Sequence, residues 1–322
     1  MRAMGATRRG FLRAAVGLTG LAGGVGQGVG IASGGRRRAM TIDLVCGNLG
    51  VRAELPEAIG LAYRHGFESV APDAGYLGRL SGGELEELLG DLKAKGLVWG
   101  AAGLPVEFRR DEATFRAGME GLPGFAAVLE RAGVTRVGTY ILPMDDELTY
   151  LANYRRHVRR LGEVAAVLGD HGLRLGLEYV GPRTMWTSRR YPFIHTLAEL
   201  RELIDGLGRD NVGVVLDSWH WYTAGETVDD LRGIENRDVV ACDLNDAPRS
   251  VPLEQQRDGV RELPTATGVI DLKAFLEVLV AIGYDGPVRA EPFNATLRML
   301  PAEEAVAATA RAMKRAFALI GG

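Results

Sequence analysis

From Thr41 onwards, short apolar runs alternate with amphipathic stretches. The runs read TIDLVCG, FESVAPD, LVWGAAG, TRVGTYIL, RLGLEYV, VGVVLDS, VVACDLN and PVRAEPF. Runs this continuous predict strands buried on both faces, as in a parallel sheet. The intervening stretches predict helices over 54–65, 82–95, 112–132 (interrupted near Pro123), 148–171, 197–207, a short 228–233, 272–282 and 302–319. In the second of these, Leu85, Leu88, Leu89 and Leu92 share one face. Strict strand–helix alternation implies parallel strands joined by right-handed crossovers. Eight such units predict an α/β chain folded as one (β/α)8 TIM barrel over residues 40–322. A doubly wound open sheet is the alternative. It would want a glycine-rich phosphate loop after the first strand, and CGNLGVRAE has no G-x-G-x-x-G.

Four of the predicted strands end in a carboxylate: Glu178, Asp217, Asp243 and Glu291. A carboxylate at the end of a buried strand needs a partner, because desolvating it alone costs several kcal/mol or more. Four such ends call for a shared positive charge, and a divalent metal at the C-terminal mouth of a barrel is the simplest candidate. His220 follows Asp217 by three residues, a spacing that lets both reach the mouth. Pro292 cannot donate to a ladder, so its strand stops and leaves Glu291 at the rim. Asp246 is expected to pair with Arg249 or Arg261. Trp186, Trp219, Trp221 and Tyr222 could form apolar walls for a sugar, or could equally be packing between helices and barrel.

Composition narrows this reading. Among 322 residues, 38 are Lys or Arg and 41 are Asp or Glu, giving a net charge of −3. No basic stripe appears beyond the N-terminus, so nucleic acid is not an expected partner. Cys46 and Cys242 each fall in a predicted strand interior, where they read as small buried apolar residues, so no disulfide framework is expected. Thr7-Arg8-Arg9-Gly10-Phe11-Leu12-Arg13 precedes a glycine- and alanine-rich soft apolar segment. It resembles a twin-arginine export signal, which would make residues 1–39 a signal peptide and linker and the protein periplasmic or secreted. The glycines of 17–30 argue against stable membrane insertion.

LGLEYVGP, VVLDSWHWY, CDLNDAP, RELPTATGVIDL, IGYDGPV and EPF resemble the xylose isomerase-like barrel superfamily of sugar isomerases and epimerases. The resemblance runs from about Gly47 to Phe293 and is strongest after Glu178. It implies a divalent metal held by Glu178, Asp217, the position of Asp243, and Glu291, with Glu178 and Glu291 as the catalytic base and acid. It implies substrate contacts from His220 and Arg261, with Trp219 and Trp186 as candidate walls. The family usually has His where this chain has Asp243. An all-oxygen ligand set favours Mn²⁺ or Mg²⁺ over Zn²⁺. The implied activity is a metal-dependent isomerase or epimerase working through an enediolate on a free sugar or sugar derivative. A lyase or dehydratase on a keto-sugar or keto-glycoside, and a degenerate barrel that only binds sugar, are the alternatives. An endonuclease would need more histidine than the five present. The resemblance also implies a homodimer or homotetramer.

Overall fold

A computed structural model of the chain describes residues 38–321. The export motif and most of its linker lie outside the described residues. Nine strands form one sheet: β1 (Thr41–Leu44), β2 (Ser69–Val70), β3 (Val98–Trp99), β4 (Ala102–Gly103), β5 (Arg136–Tyr140), β6 (Arg174–Glu178), β7 (Val212–Asp217), β8 (Val239–Leu244) and β9 (Pro287–Ala290). Their order is β3-β2-β1-β9-β8-β7-β6-β5-β4, with every pairing parallel. The two ends of that order, β3 and β4, are consecutive pieces of one chain segment. The sheet therefore closes on itself as an eight-stranded barrel whose third strand is interrupted at Gly100 and Ala101.

The main core fills the space between strands and surrounding helices, as alternate residues such as Leu175, Leu177, Val214 and Leu216 point outwards. Inside the barrel the residues are small: Ala101, Val215 and Ala241 form their own cluster. Gly176 belongs to that layer by necessity, since a Cβ there would lie 2.8 Å from Val215 and 2.9 Å from Val240. The long helices start on local signals. Ser81 with Glu84, and Thr196 with Glu199, form capping boxes, each worth on the order of 1 kcal/mol.

The expected elements are largely present, with three differences. The 112–131 helix runs through Pro123 without a break. The 228–233 stretch forms turns; the helix of this unit is Ser218–Thr223, which starts directly at the strand end because Asp217 caps it. The second and third strands are much shorter than their apolar runs. Cys46 and Cys242 are free thiols. Among the described residues no helix is long and apolar enough to cross a membrane.

Candidate active site

The C-terminal ends of β6, β7, β8 and β9 bring the four predicted acids to one mouth. Parallel pairing puts Asp43, Arg289, Asp243 and Asp217 in register as successive cross-strand neighbours on β1, β9, β8 and β7. Asp243 is fully buried, and Arg289 donates to both its oxygens, Nε to Oδ1 at 2.5 Å and Nη2 to Oδ2 at 2.9 Å. Asp217 caps its helix: Oδ1 accepts the Trp219 N–H at 2.8 Å and Asn245 Nδ2 at 3.0 Å. The other oxygen, Oδ2, accepts Arg261 Nη1 at 2.8 Å. The same Nη1 donates to Glu291 Oε2 at 2.9 Å, while Nη2 donates to Asp258 Oδ1 at 2.8 Å. Arg261 is buried between the rings of Trp219 and Phe293, its guanidinium carbon 5.5 and 4.5 Å from their centroids.

Glu178 has no such partner. Its Oε1 is buried without a hydrogen bond, and the nearest basic nitrogen is His220 Nε2 at 3.9 Å. Burial, and then the charges of Glu291, Asp243 and Asp217, hold its carboxyl well above the usual range. Burial likewise pushes Glu291 up to about 8 and Asp217 up to about 7, with Arg261 working against both. Oxygen atoms of Glu178, Asp243 and Glu291 lie within 4.8 Å of one another. So do single ligand atoms of Glu178, Asp217 and His220. The donor set is hard and mostly carboxylate, and Glu178 Oε1 is the orphan that a cation would satisfy.

His220 is fully buried, and its Nδ1 lies 3.2 Å from the Gly181 N–H. That amide takes Nδ1 as its acceptor, which assigns the proton of a neutral ring to Nε2; Nε2 faces Asp217, Glu178 and Asp258, and Arg261 Nη2 approaches it at 3.4 Å. Burial first, and Arg261 second, lower the ring to about 3 and keep it neutral. Gly181 permits this approach: a Cβ there would lie 2.4 Å from the His220 carbonyl oxygen.

Sequence reasoning placed Glu178, Asp217, His220, Asp243, Arg261 and Glu291 together, and the structure brings all six to the mouth. The two tryptophans differ. Trp219 is fully buried and backs Arg261. Trp186 is half-buried, stacked on His195 with ring centroids 4.7 Å apart. Trp221 packs outwards against Phe275. Asp246 pairs with neither Arg249 nor Arg261. Its carboxylate accepts the backbone N–H groups of Ala247, Thr267, Gly268, Val269 and Ile270, pinning both ends of the 248–267 loop.

Four site residues were missed: Asn245, Asp258, Gly181 and Arg289. Asn245 joins two strand ends, donating to Asp217 and accepting the Glu291 N–H at 3.0 Å. Arg289 carried a signal that was available. It shares the inward parity of Glu291 two residues on, and a charge inside an apolar run needs a counter-charge in the barrel.

A closed (β/α)8 barrel with a ring of acids on its C-terminal mouth is the class that fold and site define. The family model described as a xylose isomerase-like TIM barrel matches residues 59–316, and the chain belongs to that family. A solved xylose isomerase domain protein from Alicyclobacillus acidocaldarius subsp. acidocaldarius is 32% identical, covers 88% of this chain and 100% of its own, and superposes with a TM-score of 0.75. Inosose isomerase of Halalkalibacterium halodurans is 26% identical over 198 residues, 61% of this chain and 67% of that protein. Ketose 3-epimerase of Arthrobacter globiformis is 28% identical over 194 residues, 58% of this chain and 59% of that protein.

Proposed function

We propose that the chain is a divalent-cation-dependent isomerase or epimerase that moves a proton on the carbon next to a carbonyl of a free sugar or sugar derivative. One observation carries this reading. Six carboxylates (Asp43, Glu178, Asp217, Asp243, Asp258 and Glu291) gather around two guanidiniums and a neutral imidazole, and the one facing the mouth without a partner is Glu178. That surplus of negative charge fits Mn²⁺ or Mg²⁺, with Glu178, Asp217 and Glu291 as the residues that would hold it. When bound, the cation neutralises charge developing on a substrate carbonyl and its neighbouring hydroxyl.

The chain's own groups supply the rest. Glu178, with Oε1 turned toward the cation's place, keeps its other carboxylate oxygen to take a proton from carbon. Glu291, oriented by Arg261, is the group that returns one to the enediolate. His220 offers a fixed Nε2–H donor to a substrate oxygen. Arg261 directs its donors at Asp217, Glu291 and Asp258, so it orders the acids. The relatives matched above, an inosose isomerase and a ketose 3-epimerase, support the substrate class. With Thr7–Arg13 as its signal, the protein is exported and meets unphosphorylated sugars.

The test is solvent exchange. Ketoses, inososes and 3-keto sugars are incubated with the protein and Mn²⁺ in D₂O. Deuterium should enter at a carbon next to the carbonyl of at least one of them, and both Glu178→Gln and Glu291→Gln should abolish it. A Glu178→Gln protein that exchanges as fast as the unmodified chain refutes the assignment.

A further inference from the structure

We propose that Asp243 stands outside the cation's ligand set because Arg289 holds both its oxygens. The carboxylates left to the ion are then Glu178, Asp217 and Glu291. The proposal rests on the cation-dependent reading above and specifies the site's composition.

Three observations carry it. First, Asp243 and Arg289 are in-register neighbours on β8 and β9, so the barrel's own hydrogen bonding fixes their separation. Second, the contact is two-pronged, at 2.5 and 2.9 Å, and Asp243 is fully buried. A cation approaching Asp243 would meet a guanidinium of the same sign. Withdrawing it would leave a buried charge unpaired, at a cost of several kcal/mol. Third, Arg289 faces Asp43 on its other side, in register on β1, and Asp43 has no hydrogen bond to either oxygen. Arg289 is thus held between two acids. Asp217 is engaged differently. Its Oδ2 takes one bond from Arg261, which shares that nitrogen with Glu291 and comes from the 248–267 loop rather than a barrel strand.

Charge explains why such a pair is tolerated here. The histidine usual in the family at this position is neutral when it binds metal. Asp243 alone would add a negative charge to a site already rich in them. Asp243 with Arg289 restores a net of zero, so the two residues together replace the neutral imidazole while withholding its donor atom.

Mn²⁺ binding to the purified chain, read by electron paramagnetic resonance or calorimetry without any substrate, tests this. Glu178→Gln and Glu291→Gln should weaken binding by about tenfold or more, as loss of a ligand does. The double variant Asp243→Asn/Arg289→Gln keeps the shape of the pair and removes both charges. It should bind within about threefold of the unmodified chain. Arg289→Gln alone frees Asp243 without removing it and should tighten Mn²⁺ by about tenfold. A folded double variant that weakens as much as Glu178→Gln overturns the proposal, as does a folded Arg289→Gln protein that binds no more tightly. An unmodified chain that binds no Mn²⁺ at all overturns the cation-dependent reading itself, a separate outcome from these two.

Discussion

Removing divalent ions and raising the pH should destabilise this protein, over an interval where most proteins change little. Burial raises Glu291 to about 8 and Asp217 to about 7 at the mouth. Away from it, burial raises Glu226 to about 7, opposed by its hydrogen bond from the Tyr179 hydroxyl. Each of these groups holds a proton in the folded state that it has lost in the unfolded chain. Their contribution to stability is complete below about pH 4 and disappears as pH rises through the folded values. The buried histidines run the other way. His157 and His220, both lowered to about 3 by burial, favour the folded state as pH rises through about 6.5. Below that pH the two effects partly offset one another, so the cleaner window is about pH 6.5 to 8. There Glu291 gives the largest loss and Asp217 and Glu226 smaller ones, while the two histidines return part of it, at about 1.4 kcal/mol per pKa unit. The net loss is about 2–3 kcal/mol, or roughly 5 °C in Tm for a domain of this size. Denaturant unfolding of chelator-treated protein across the window measures it directly. Glu291→Gln should make the decline shallower. Saturating Mn²⁺ should abolish it, because an ion remains bound where a proton leaves. Metal-free stability that stays flat or rises over this interval refutes the claim that these carboxyls are held protonated by burial.

Two structural variants probe how the site is held. Asp246→Ala leaves five backbone amides without their acceptor and should cost at least about 3 kcal/mol. Limited proteolysis should then cut within 248–267, and a loop as resistant as before would contradict the pinning role. Gly181→Ala puts a methyl 2.4 Å from the His220 carbonyl. It should displace the ring and lower kcat for exchange by about tenfold or more, the usual scale for a misplaced catalytic group. In the unmodified chain, nitrogen NMR should find the His220 proton on Nε2, and a proton on Nδ1 instead would refute the tautomer.

Much of this architecture was legible because apolar runs and helix caps state it locally. VGVVLDS and VVACDLN can only be strands covered on both faces, and Glu178, Asp217, Asp243 and Glu291 announce the mouth by ending such runs. What stayed hidden depends on distance in the chain. Asp217 reads as a metal ligand in sequence; its second identity as the cap of Ser218–Thr223 moved the helix forward from 228–233. Asp246 reads as half of an ion pair, yet five amides from 247–270 converge on it, and nothing local reveals that 267–270 folds back to this place. LVWGAAG reads as one strand. It splits at Gly100 and Ala101, and the Asp43 carboxylate lies so close to Gly100 that a Cβ there would be 2.5 Å from its oxygens.

The register of β1, β9, β8 and β7 shows where the chain's own positive charges run out. Reading across it, the charges run Asp43, Arg289, Asp243, Asp217, so negative and positive alternate until the last step. Arg261 descends from the 248–267 loop to meet Asp217 at that step and extends the same nitrogen to Glu291. This row is therefore largely compensated by groups the chain carries itself. Glu178 lies outside it: β6 pairs with β7 such that Leu177 is opposite Val214, and Glu178 reaches the mouth beside no guanidinium. Glu291 has half a partner and Glu178 none, and their oxygens come within 4.8 Å of each other. Two buried carboxylates at that separation repel unless a proton or a cation stands between them. The demand for positive charge thus falls on the gap between Glu178 and Glu291, the two groups proposed above to act on a substrate carbonyl.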